Sequence, residues 1–292
     1  MRYWKLVFTT LLLVFLVIIL AIDQYPDKNL HIIACDVGQG DSILITYGST
    51  QILTDGGPGK SVLTCLGKYM PFYDHEIELL ISTHPDSDHS SGLVSVLQNY
   101  KVDQILINPI DPGTQVYEAL VSEVGGRGIS VTNPVQGMKM GSGLIYLDIL
   151  SPTQEMLNKL SIKKDGDNLV KYEIGSETNL YSIVYILSFK NFSGMFTGDM
   201  TPEISDKISN QTGVDGLDYI KIPHHGSING LTENFLISFK PGVAVISVGK
   251  NPWGFPKADI LEMLAKYNVR VYRTDLMGDI ELITDGEKYW VK

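Results

Sequence analysis

Short apolar segments separated by turn residues are the feature of this sequence that most constrains its fold. From His31 onward such runs recur along the chain, and each is closed by Gly, Pro, Asn or Asp. Most are continuous stretches of Val, Ile and Leu, as in strands that are covered on both faces. Helical patterns lie between several of them, and one pattern places Ile260, Leu261 and Leu264 on one face. The alternation predicts an α/β fold built from layers of helix and mixed sheet.

The N-terminal segment predicts a membrane anchor. The 17 residues from Leu6 to Ile22 carry no charge, and Arg2 and Lys5 precede them. At about 1.5 Å per residue, the run covers most of a hydrocarbon core of roughly 30 Å. We expect an uncleaved, single-pass anchor in the cell membrane, with Arg2 and Lys5 in the cytoplasm and everything after Asp23 outside. A cleaved signal peptide, which would make the protein secreted, is the open alternative.

The rest of the chain is expected to form one domain. We take residues 1–28 as the anchor with a short linker and residues 29–292 as the domain, because no internal repeat or low-complexity stretch follows residue 30. The net charge of −10 argues against clamping of nucleic acid over a broad surface, since that requires many contacts from Lys and Arg to phosphates. A small phosphate site neutralised by metal is compatible with this charge.

The two cysteines leave the redox state open. Cys35 lies in the apolar run HIIACDV, so we expect a buried free thiol at this position. A disulfide between Cys35 and Cys65 is the alternative, and it would require an oxidising compartment.

Two imidazoles and two carboxylates lie close together after one of the predicted strands. The segment THPDSDHSSG carries His84, Asp86, Asp88 and His89. Imidazole and carboxylate together suit Zn²⁺, Mn²⁺ or Fe²⁺, and ligands at alternate positions of a turn can point at two adjacent ions. Carboxylates this close repel one another, so a cation is the natural compensation. The alternative is a polar turn with Asp88 capping a helix that begins near Ser90.

A second group of polar residues follows two further apolar runs. His224 and His225 stand in DYIKIPHHGS, and Asp199 ends SGMFTGD. An acid at this position can bridge two ions, while one histidine completes a metal site and the other acts as a general acid. The sequence leaves these two roles open; our working assignment gives His225 to the metal, and His224 together with Asp88 to catalysis. For Asp199 the alternative is an N-cap of the helix that Pro202 opens.

Two glycine-rich stretches do not read as phosphate-binding loops. DVGQGDS and TDGGPG match neither the P-loop spacing nor a dinucleotide fingerprint. We expect tight turns instead, with Asp36, Asp41 and Asp55 near the rim of the metal site or supporting its ligands rather than binding the metal themselves.

Taken together, these motifs resemble the metallo-β-lactamase fold superfamily, and within it the ComEC-like branch of competence proteins that internalise DNA. The resemblance spans residues 31–285, and its markers stand in family order: DVGQGDS, LTDGG, STHPDSDHSSGL, NLYSIVYILSF, FTGDM, IPHHGS, AVISVGKN and VRVYRTDLMGDI. It implies an αβ/βα four-layer sandwich with a hydrolytic site for one or two divalent ions, Zn²⁺ or Mn²⁺, at one edge of the two sheets. The ligands implied by the resemblance are His84, Asp86, Asp88, His89, Asp199 and one of His224 and His225.

The sequence departs from the family in two ways. After VGKN the family usually carries GHP, whereas this chain has WGFP, with Phe255 where the histidine is expected. Phenylalanine neither binds a metal nor transfers a proton, so the substrate pocket or the second ion is expected to differ. The larger family members also join this domain to a multi-spanning channel, and a single predicted anchor stands here instead.

The resulting functional hypothesis is a membrane-anchored, outward-facing hydrolase that uses a metal-activated water. Phosphodiester bonds, DNA among them, are the expected substrates. Hydrolysis of another ester, lactone or amide is a second hypothesis, because one fold hosts many reactions. A metal-binding module with weak catalysis is a third, supported by Phe255. The sequence predicts the membrane as a partner and names no protein partner.

Overall fold

The computed structural model of the protein describes residues 2–164, 170–173, 177–210 and 216–292. The strands, in chain order, are β1 (Leu30–Ala34), β2 (Ile43–Tyr47), β3 (Thr50–Thr54), β4 (Glu76–Ser82), β5 (Lys101–Ile107), β6 (Ile110–Asp111), β7 (Ser130–Thr132), β8 (Lys139–Ser142), β9 (Ile145–Ser151), β10 (Ser161–Lys164), β11 (Val170–Glu173), β12 (Val184–Phe189), β13 (Phe192–Phe196), β14 (Tyr219–Lys221), β15 (Val243–Ile246), β16 (Arg270–Arg273), β17 (Ile280–Thr284) and β18 (Tyr289–Val291). The helices are α1 (Arg2–Asp23), α2 (Ser61–Tyr69), α3 (Ser87–Asn99), α4 (Gln115–Arg127), α5 (Gln154–Asn158), α6 (Pro202–Ser209), α7 (Glu233–Phe239), α8 (Ala258–Lys266) and α9 (Thr274–Met277).

Two large mixed sheets organise these elements. One has the order β18-β17-β1-β2-β3-β4-β5-β7, and the other has the order β16-β15-β14-β13-β12-β9-β8. In the first sheet β3, β4, β5 and β7 run parallel, and in the second sheet β13 to β16 do so. Loops that follow neighbouring parallel strands emerge at the same edge of a sheet. The topology therefore places the segments that follow β3, β4, β13, β14 and β15 at one edge of the sheets.

Alternating side chains build the layers. In β2, Ile43 and Ile45 pack between the two sheets, whereas Leu44 packs against the helices on the outer face of the first sheet. In β12, Tyr185 faces the space between the sheets and Ile186 faces the helices outside the second sheet. This alternation follows from the two-residue period of a strand. The result is the predicted four-layer sandwich, with α2, α3 and α4 on one side and α6, α7 and α8 on the other.

The cysteines correct one prediction. Cys35 and Cys65 form a disulfide, with their Cα atoms 5.8 Å apart, so the expectation of a free thiol at Cys35 was wrong. Its burial was correctly anticipated, because Cys35 is fully buried. Cys35 continues the outward-facing alternation that begins at Ile33, and Cys65 on α2 packs against the same face. The apolar run therefore predicted the burial of Cys35, whereas the packing of a separate helix supplied its partner.

The N-terminal helix α1 stands apart from the sandwich. Residues Tyr3–Ile22 have a mean hydropathy of 2.8, and their side chains are not buried against the rest of the protein. At about 1.5 Å per residue, a helix of 22 residues is long enough to cross a hydrocarbon core. A signal sequence has the same properties, so both alternatives from the sequence analysis are compatible with α1.

Candidate metal centre

The seven residues predicted for the site come together at one edge of the sandwich. His84, Asp86, Asp88 and His89 follow β4, Asp199 follows β13, and the two neighbouring histidines follow β14. All these strands lie in parallel pairs whose carboxyl ends meet at this edge. The topology thus joins positions that are more than a hundred residues apart in the chain.

Neither capping alternative from the sequence describes the structure. Helix α3 begins at Ser87 rather than near Ser90, so Asp88 lies in its first turn and does not cap it. The helix that Pro202 opens has Thr201 at its N-cap position, and Asp199 lies outside it. Both carboxylates are therefore available to the cluster of histidines.

Three histidine rings are held in one orientation by bonds at Nδ1. The partners are Thr83 Oγ1, 3.0 Å from His84; Asp55 Oδ2, 2.8 Å from His89; and the Ser247 carbonyl oxygen, 2.9 Å from His225. A carboxylate and a carbonyl only accept, so His89 and His225 donate from Nδ1. The Thr83 hydroxyl already donates to Asp55 at 2.6 Å, so His84 also donates from Nδ1.

The opposite ring nitrogens are left open by the described part of the chain. Within the described ranges, the Nε2 atoms of His84, His89 and His225 are buried and make no hydrogen bond. In a neutral ring that donates from Nδ1, Nε2 carries the lone pair. A fixed Nδ1 donor with an open Nε2 is the arrangement by which proteins orient a histidine toward a metal. The three histidines therefore fit a metal ligand set.

Two carboxylates face these open nitrogens. The Nε2 atom of His225 lies 3.3 Å from Asp88 Oδ2 and 3.4 Å from Asp199 Oδ2. The Nε2 atom of His89 lies 3.4 Å from the other oxygen of Asp199. Asp199 thus stands between the two rings. We call His89, His225, Asp88 and Asp199 the inner set.

The remaining two predicted ligands lie beside the inner set. The His84 ring centroid is 4.1 Å from that of His89, and the Nε2 atom of His84 is 3.7 Å from Asp86 Oδ2. Thr178 Oγ1 donates a 2.6 Å hydrogen bond to the other oxygen of Asp86. The Asp86 side chain is 39% exposed, whereas that of Asp199 is 5% exposed. We call His84 and Asp86 the outer pair.

Asp41 lies beside the inner set, and the sequence analysis expected it to support the metal ligands rather than to bind the metal. Asp41, His89, Asp199 and His225 each offer one ligand atom, and these atoms all lie within 4.8 Å of one another. Asp41 nevertheless lies on the Nδ1 side of the rings, at 3.3 Å from Nδ1 of His225 and 3.7 Å from Nδ1 of His89. Because Nδ1 is the anchored side of each ring, we assign Asp41 to orienting the rings rather than to the inner set.

A buried lysine completes this support. The Lys221 ammonium group contacts Asp41, donates a 3.0 Å hydrogen bond to the Gly198 carbonyl oxygen, and lies 3.4 Å from Asp199 Oδ1. Its side chain is 1% exposed. Sequence reasoning missed Lys221, although a lysine within the otherwise apolar segment YIKIP was a signal, since an unpaired charge is rarely buried.

The charges around the site change the proton affinities of its histidines in opposite directions. Burial would lower the pKa of His225, but Asp199 and Asp41 raise it to about 9. Burial and the neighbouring charge of His89 lower the pKa of His84 to about 4. Burial would raise the pKa of Asp199, yet the two inner histidines and Lys221 hold it well below its usual range. The inner set therefore concentrates negative charge that attracts cations, protons included.

The segment with His224 and His225 has an unusual backbone. Both residues are left-handed, with φ of 50° and 54°. Such conformations cost about 1–3 kcal/mol for residues other than glycine and occur where the surroundings enforce them. The His224 amide donates a 3.1 Å hydrogen bond to Asp199 Oδ1. In this conformation the His225 ring lies in the cluster, and the His224 ring lines the cleft.

A cleft of about 890 Å³ opens onto the centre. Asp88, Asp199 and His225 lie at its base, and Lys250 and Trp253 lie on its wall. The wall continues through the ring of Phe255. The predicted site is therefore accessible to a substrate of considerable size.

Comparison with known proteins gives two sequence relatives. The chain is 25% identical over 265 residues to ComE operon protein 3 of Bacillus subtilis, covering 84% of this chain and 32% of that protein. It is 26% identical over 271 residues to Recombination protein 2 of Haemophilus influenzae, covering 90% of this chain and 30% of that protein. The chain thus spans about a third of the length of these relatives. No protein-family model matches it.

Solved structures show the fold. The metallo-β-lactamase fold protein YhfI of Bacillus subtilis superimposes with a TM-score of 0.54 at 12% identity, covering 90% of this chain and 100% of that chain. CmlA, a diiron β-hydroxylase from Streptomyces venezuelae, gives a TM-score of 0.55 at 13% identity, covering 89% of this chain and 54% of that chain. The resemblance inferred from the motifs is thereby confirmed: this chain has the metallo-β-lactamase fold, and its sequence relatives are ComEC-like competence proteins.

Proposed function

We propose that this protein is a metal-dependent hydrolase that cleaves phosphodiester bonds on the outer side of a cell membrane. One observation carries the proposal. Three buried Nε2 atoms, which have no hydrogen-bond partner among the residues that the structure describes, face carboxylates at an open cleft. Such a donor set has no evident use in stabilising the fold, because leaving buried polar atoms unpaired costs free energy.

The inner set is the better-formed position for a metal. Two imidazole nitrogens and two carboxylates meet there, which suits Zn²⁺ or Mn²⁺. The outer pair contributes one nitrogen and one carboxylate, and the His84 ring lies against that of His89 in the inner set. We infer that the inner set binds an ion more tightly, while the outer pair completes a second and weaker position.

The chain's own residues position the reaction. A divalent ion bound at the centre would polarise a phosphate oxygen and lower the pKa of an attacking water. Asp88, on the first turn of α3 and half-exposed to the cleft, is placed to orient that water by accepting its hydrogen bond. His224 lines the cleft beside Asp199, and we assign it the donation of a proton to the leaving oxygen.

Two features support an extracytoplasmic location. The basic residues Arg2 and Lys5 precede the apolar run of α1, which favours a cytoplasmic N-terminus and an outward-facing body. The disulfide between Cys35 and Cys65 agrees with this orientation, because disulfides persist in oxidising compartments and are rare in the cytosol.

The assay that tests the function uses the full-length protein in detergent micelles with Mn²⁺ or Zn²⁺. Bis(4-nitrophenyl) phosphate reports phosphodiester cleavage, and 4-nitrophenyl acetate reports the alternative, cleavage of a carboxylic ester. We expect metal-dependent turnover of the phosphodiester that is lost in Asp88→Asn and His225→Ala. His75→Ala is the matched control, because His75 precedes β4 at the end of the strand remote from the site.

Three results would decide between the hypotheses. Turnover of the acetate ester alone would move the assignment to ester hydrolysis. Bound metal without turnover of either substrate would favour a binding module, the hypothesis that Phe255 supports. Equal loss of activity in His75→Ala would show that the assay reports stability rather than the site.

A further inference from the structure

We propose that Trp253 and Phe255 form an aromatic platform on which a base of single-stranded nucleic acid stacks while its phosphodiester reaches the metal centre. This inference rests on the proposed function, because it names the substrate class of the same site. It concerns the segment that departs from the family pattern, where Phe255 stands in place of a histidine.

The two rings form a continuous surface that leads out of the centre. Their centroids are 5.9 Å apart with an interplanar angle of 22°, so the rings are nearly parallel. Phe255 is half-buried, and its ring meets that of His224 at 5.8 Å in an edge-to-face contact. Trp253 lies further out and is 56% exposed. The platform thus begins beside the base of the cleft and ends with an open indole face.

Hydrogen bonds hold the platform in place before any ligand binds. Asn251 accepts a 2.9 Å hydrogen bond from the Phe255 amide and donates to the Phe255 carbonyl oxygen at 3.1 Å and to that of Gly249 at 2.8 Å. Lys257 donates a 2.5 Å hydrogen bond to the Trp253 carbonyl oxygen. A surface that is ordered beforehand loses less conformational entropy when it binds. The loop is therefore built to present the indole ring.

Charge beside the platform indicates what kind of ring it accepts. Lys250 is exposed on the same wall of the cleft, and the Lys257 ammonium group lies 5.6 Å from the centre of the Phe255 ring. Aromatic rings combined with nearby cations are the arrangement that binds stacked bases together with their phosphates. An apolar ligand without anionic groups would leave the exposed ammonium group of Lys250 unpaired.

The same features indicate whether the bound nucleic acid is single- or double-stranded, and how long the bound segment is. A base inside a duplex is covered on both faces by its neighbours, so a base within a strand can stack on Trp253 only where it is unpaired. The net charge of −10 disfavours a long electrostatic track along the backbone. We therefore infer recognition of a short single-stranded segment, through one or two bases next to the scissile bond.

The test measures how tightly the full-length protein, in micelles and loaded with Mn²⁺, binds a fluorescent oligothymidylate. The linkages of this oligonucleotide are phosphorothioates, which resist hydrolysis. Two ligands serve for comparison: the same backbone with abasic residues, which carries the same charge, and the duplex with oligoadenylate, which carries about twice the charge. We expect the single strand to bind on the order of tenfold more tightly than either, because stacking on an aromatic side chain is worth about 1–3 kcal/mol per base.

Variants assign that preference to the platform. Trp253→Ala is expected to abolish it, whereas Trp253→Tyr retains most of it because a flat ring remains. Trp290→Ala is the matched control, since Trp290 is also exposed, at 43%, but lies on β18 and not in the cleft. Equal affinity of the wild-type protein for base-bearing and abasic strands, or no binding at all, would overturn the proposal, as would a preference that survives Trp253→Ala.

Failure of this inference is distinguishable from failure of the proposed function. Hydrolysis of bis(4-nitrophenyl) phosphate without a preference for unpaired bases would leave the phosphodiesterase in place and remove the platform. A preference for bases that depends on Trp253, in a protein without phosphodiester turnover, would keep the platform as a binding site and remove the hydrolase.

Discussion

The surroundings of His31 and the candidate metal centre, both within the described residues, combine histidine with carboxylates, but their ring nitrogens are used differently. His31 has both ring nitrogens occupied, Nδ1 by Glu281 at 2.7 Å and Nε2 by Asp27 at 3.0 Å. In the centre, His89 and His225 are anchored at Nδ1 alone, and their Nε2 atoms have no hydrogen bond among the described residues. The residue types are the same in both regions. The difference shows that an open, buried ring nitrogen distinguishes a candidate metal ligand from a structural histidine.

The largest expected effect comes from removing a histidine in each region. His225→Ala deletes one of the two nitrogens of the inner set, so we expect hydrolytic activity to fall about a thousandfold, the scale on which active-site groups act. His31→Ala is expected to keep both metal content and activity. Metal analysis together with the phosphodiester assay measures both changes. Equal losses in the two variants would remove the distinction between these histidines.

The buried ion pairs of Lys221 should contribute more to stability than the exposed pair between Asp27 and His31. Lys221→Met leaves Asp41 and Asp199 buried without their shared cation, so we expect the free energy of unfolding to fall by about 3–5 kcal/mol. Asp27→Asn, at a site 51% exposed, is expected to cost under about 1 kcal/mol. Denaturant titration of the two variants gives both values.

A double variant tests whether the unpaired buried charges cause the loss of stability in Lys221→Met. In Lys221→Met with Asp41→Asn, one buried charge is removed together with its partner, so part of the lost stability should return. If the double variant is less stable than Lys221→Met, the pair of charges is not the reason for the loss.

Loss of the hydrogen bond from His89 Nδ1 to Asp55 should weaken metal binding without abolishing it. Asp55→Asn retains a side chain of the same shape, and asparagine tolerates the left-handed backbone at this position, where φ is 57°. The amide lacks the negative charge that holds the Nδ1 proton, so we expect metal affinity to fall about 10–100-fold. Competition with a chromogenic chelator measures the change. Unaltered affinity would mean that Asp55 serves only the fold.

The smallest effect is a pH dependence confined to the His31 region. Burial would lower the pKa of His31, but Glu281 and Asp27 raise it above its ordinary value. A raised pKa means that the stabilisation is complete below the unfolded pKa near 6.5 and is lost as pH rises through the folded pKa. The hydrogen bond to His31 lowers the pKa of Glu281 below its ordinary value of 4.5, so the contribution also fades toward acid as pH falls through the folded pKa of this carboxyl.

The pH-dependent contribution of His31 to stability is measured against a variant whose side chain at position 31 carries no titratable group. We expect the difference in unfolding free energy between the wild type and His31→Gln to be larger at pH 5.5 than at pH 8.5, by less than about 1 kcal/mol. Metal-binding affinity, compared between the same two proteins at each pH, should not differ. A difference that increased toward pH 8.5 would contradict the assigned sign.

Much of the site was predictable because its residues cluster in short segments. The spacing in HPDSDH and the pair in PHHG follow strands, and strand ends could be identified from apolar runs that stop at Pro, Gly or Asp. Which ring nitrogen is open was not predictable. That depends on Asp55 and Ser247, which reach His89 and His225 from 34 and 22 residues away.

The sequence by itself determined the layers, the apolar N-terminal helix and the motifs that carry the metal-binding chemistry, because periodicity and spacing are local properties. Only the tertiary structure decided that Cys35 pairs with Cys65, that Lys221 neutralises Asp41, and that Trp253 and Phe255 form one wall of the cleft. Each of these depends on the packing of elements or on loop geometry, which a one-dimensional pattern does not encode. Burial could be anticipated from the residues themselves, whereas the identity of the neighbour required the fold.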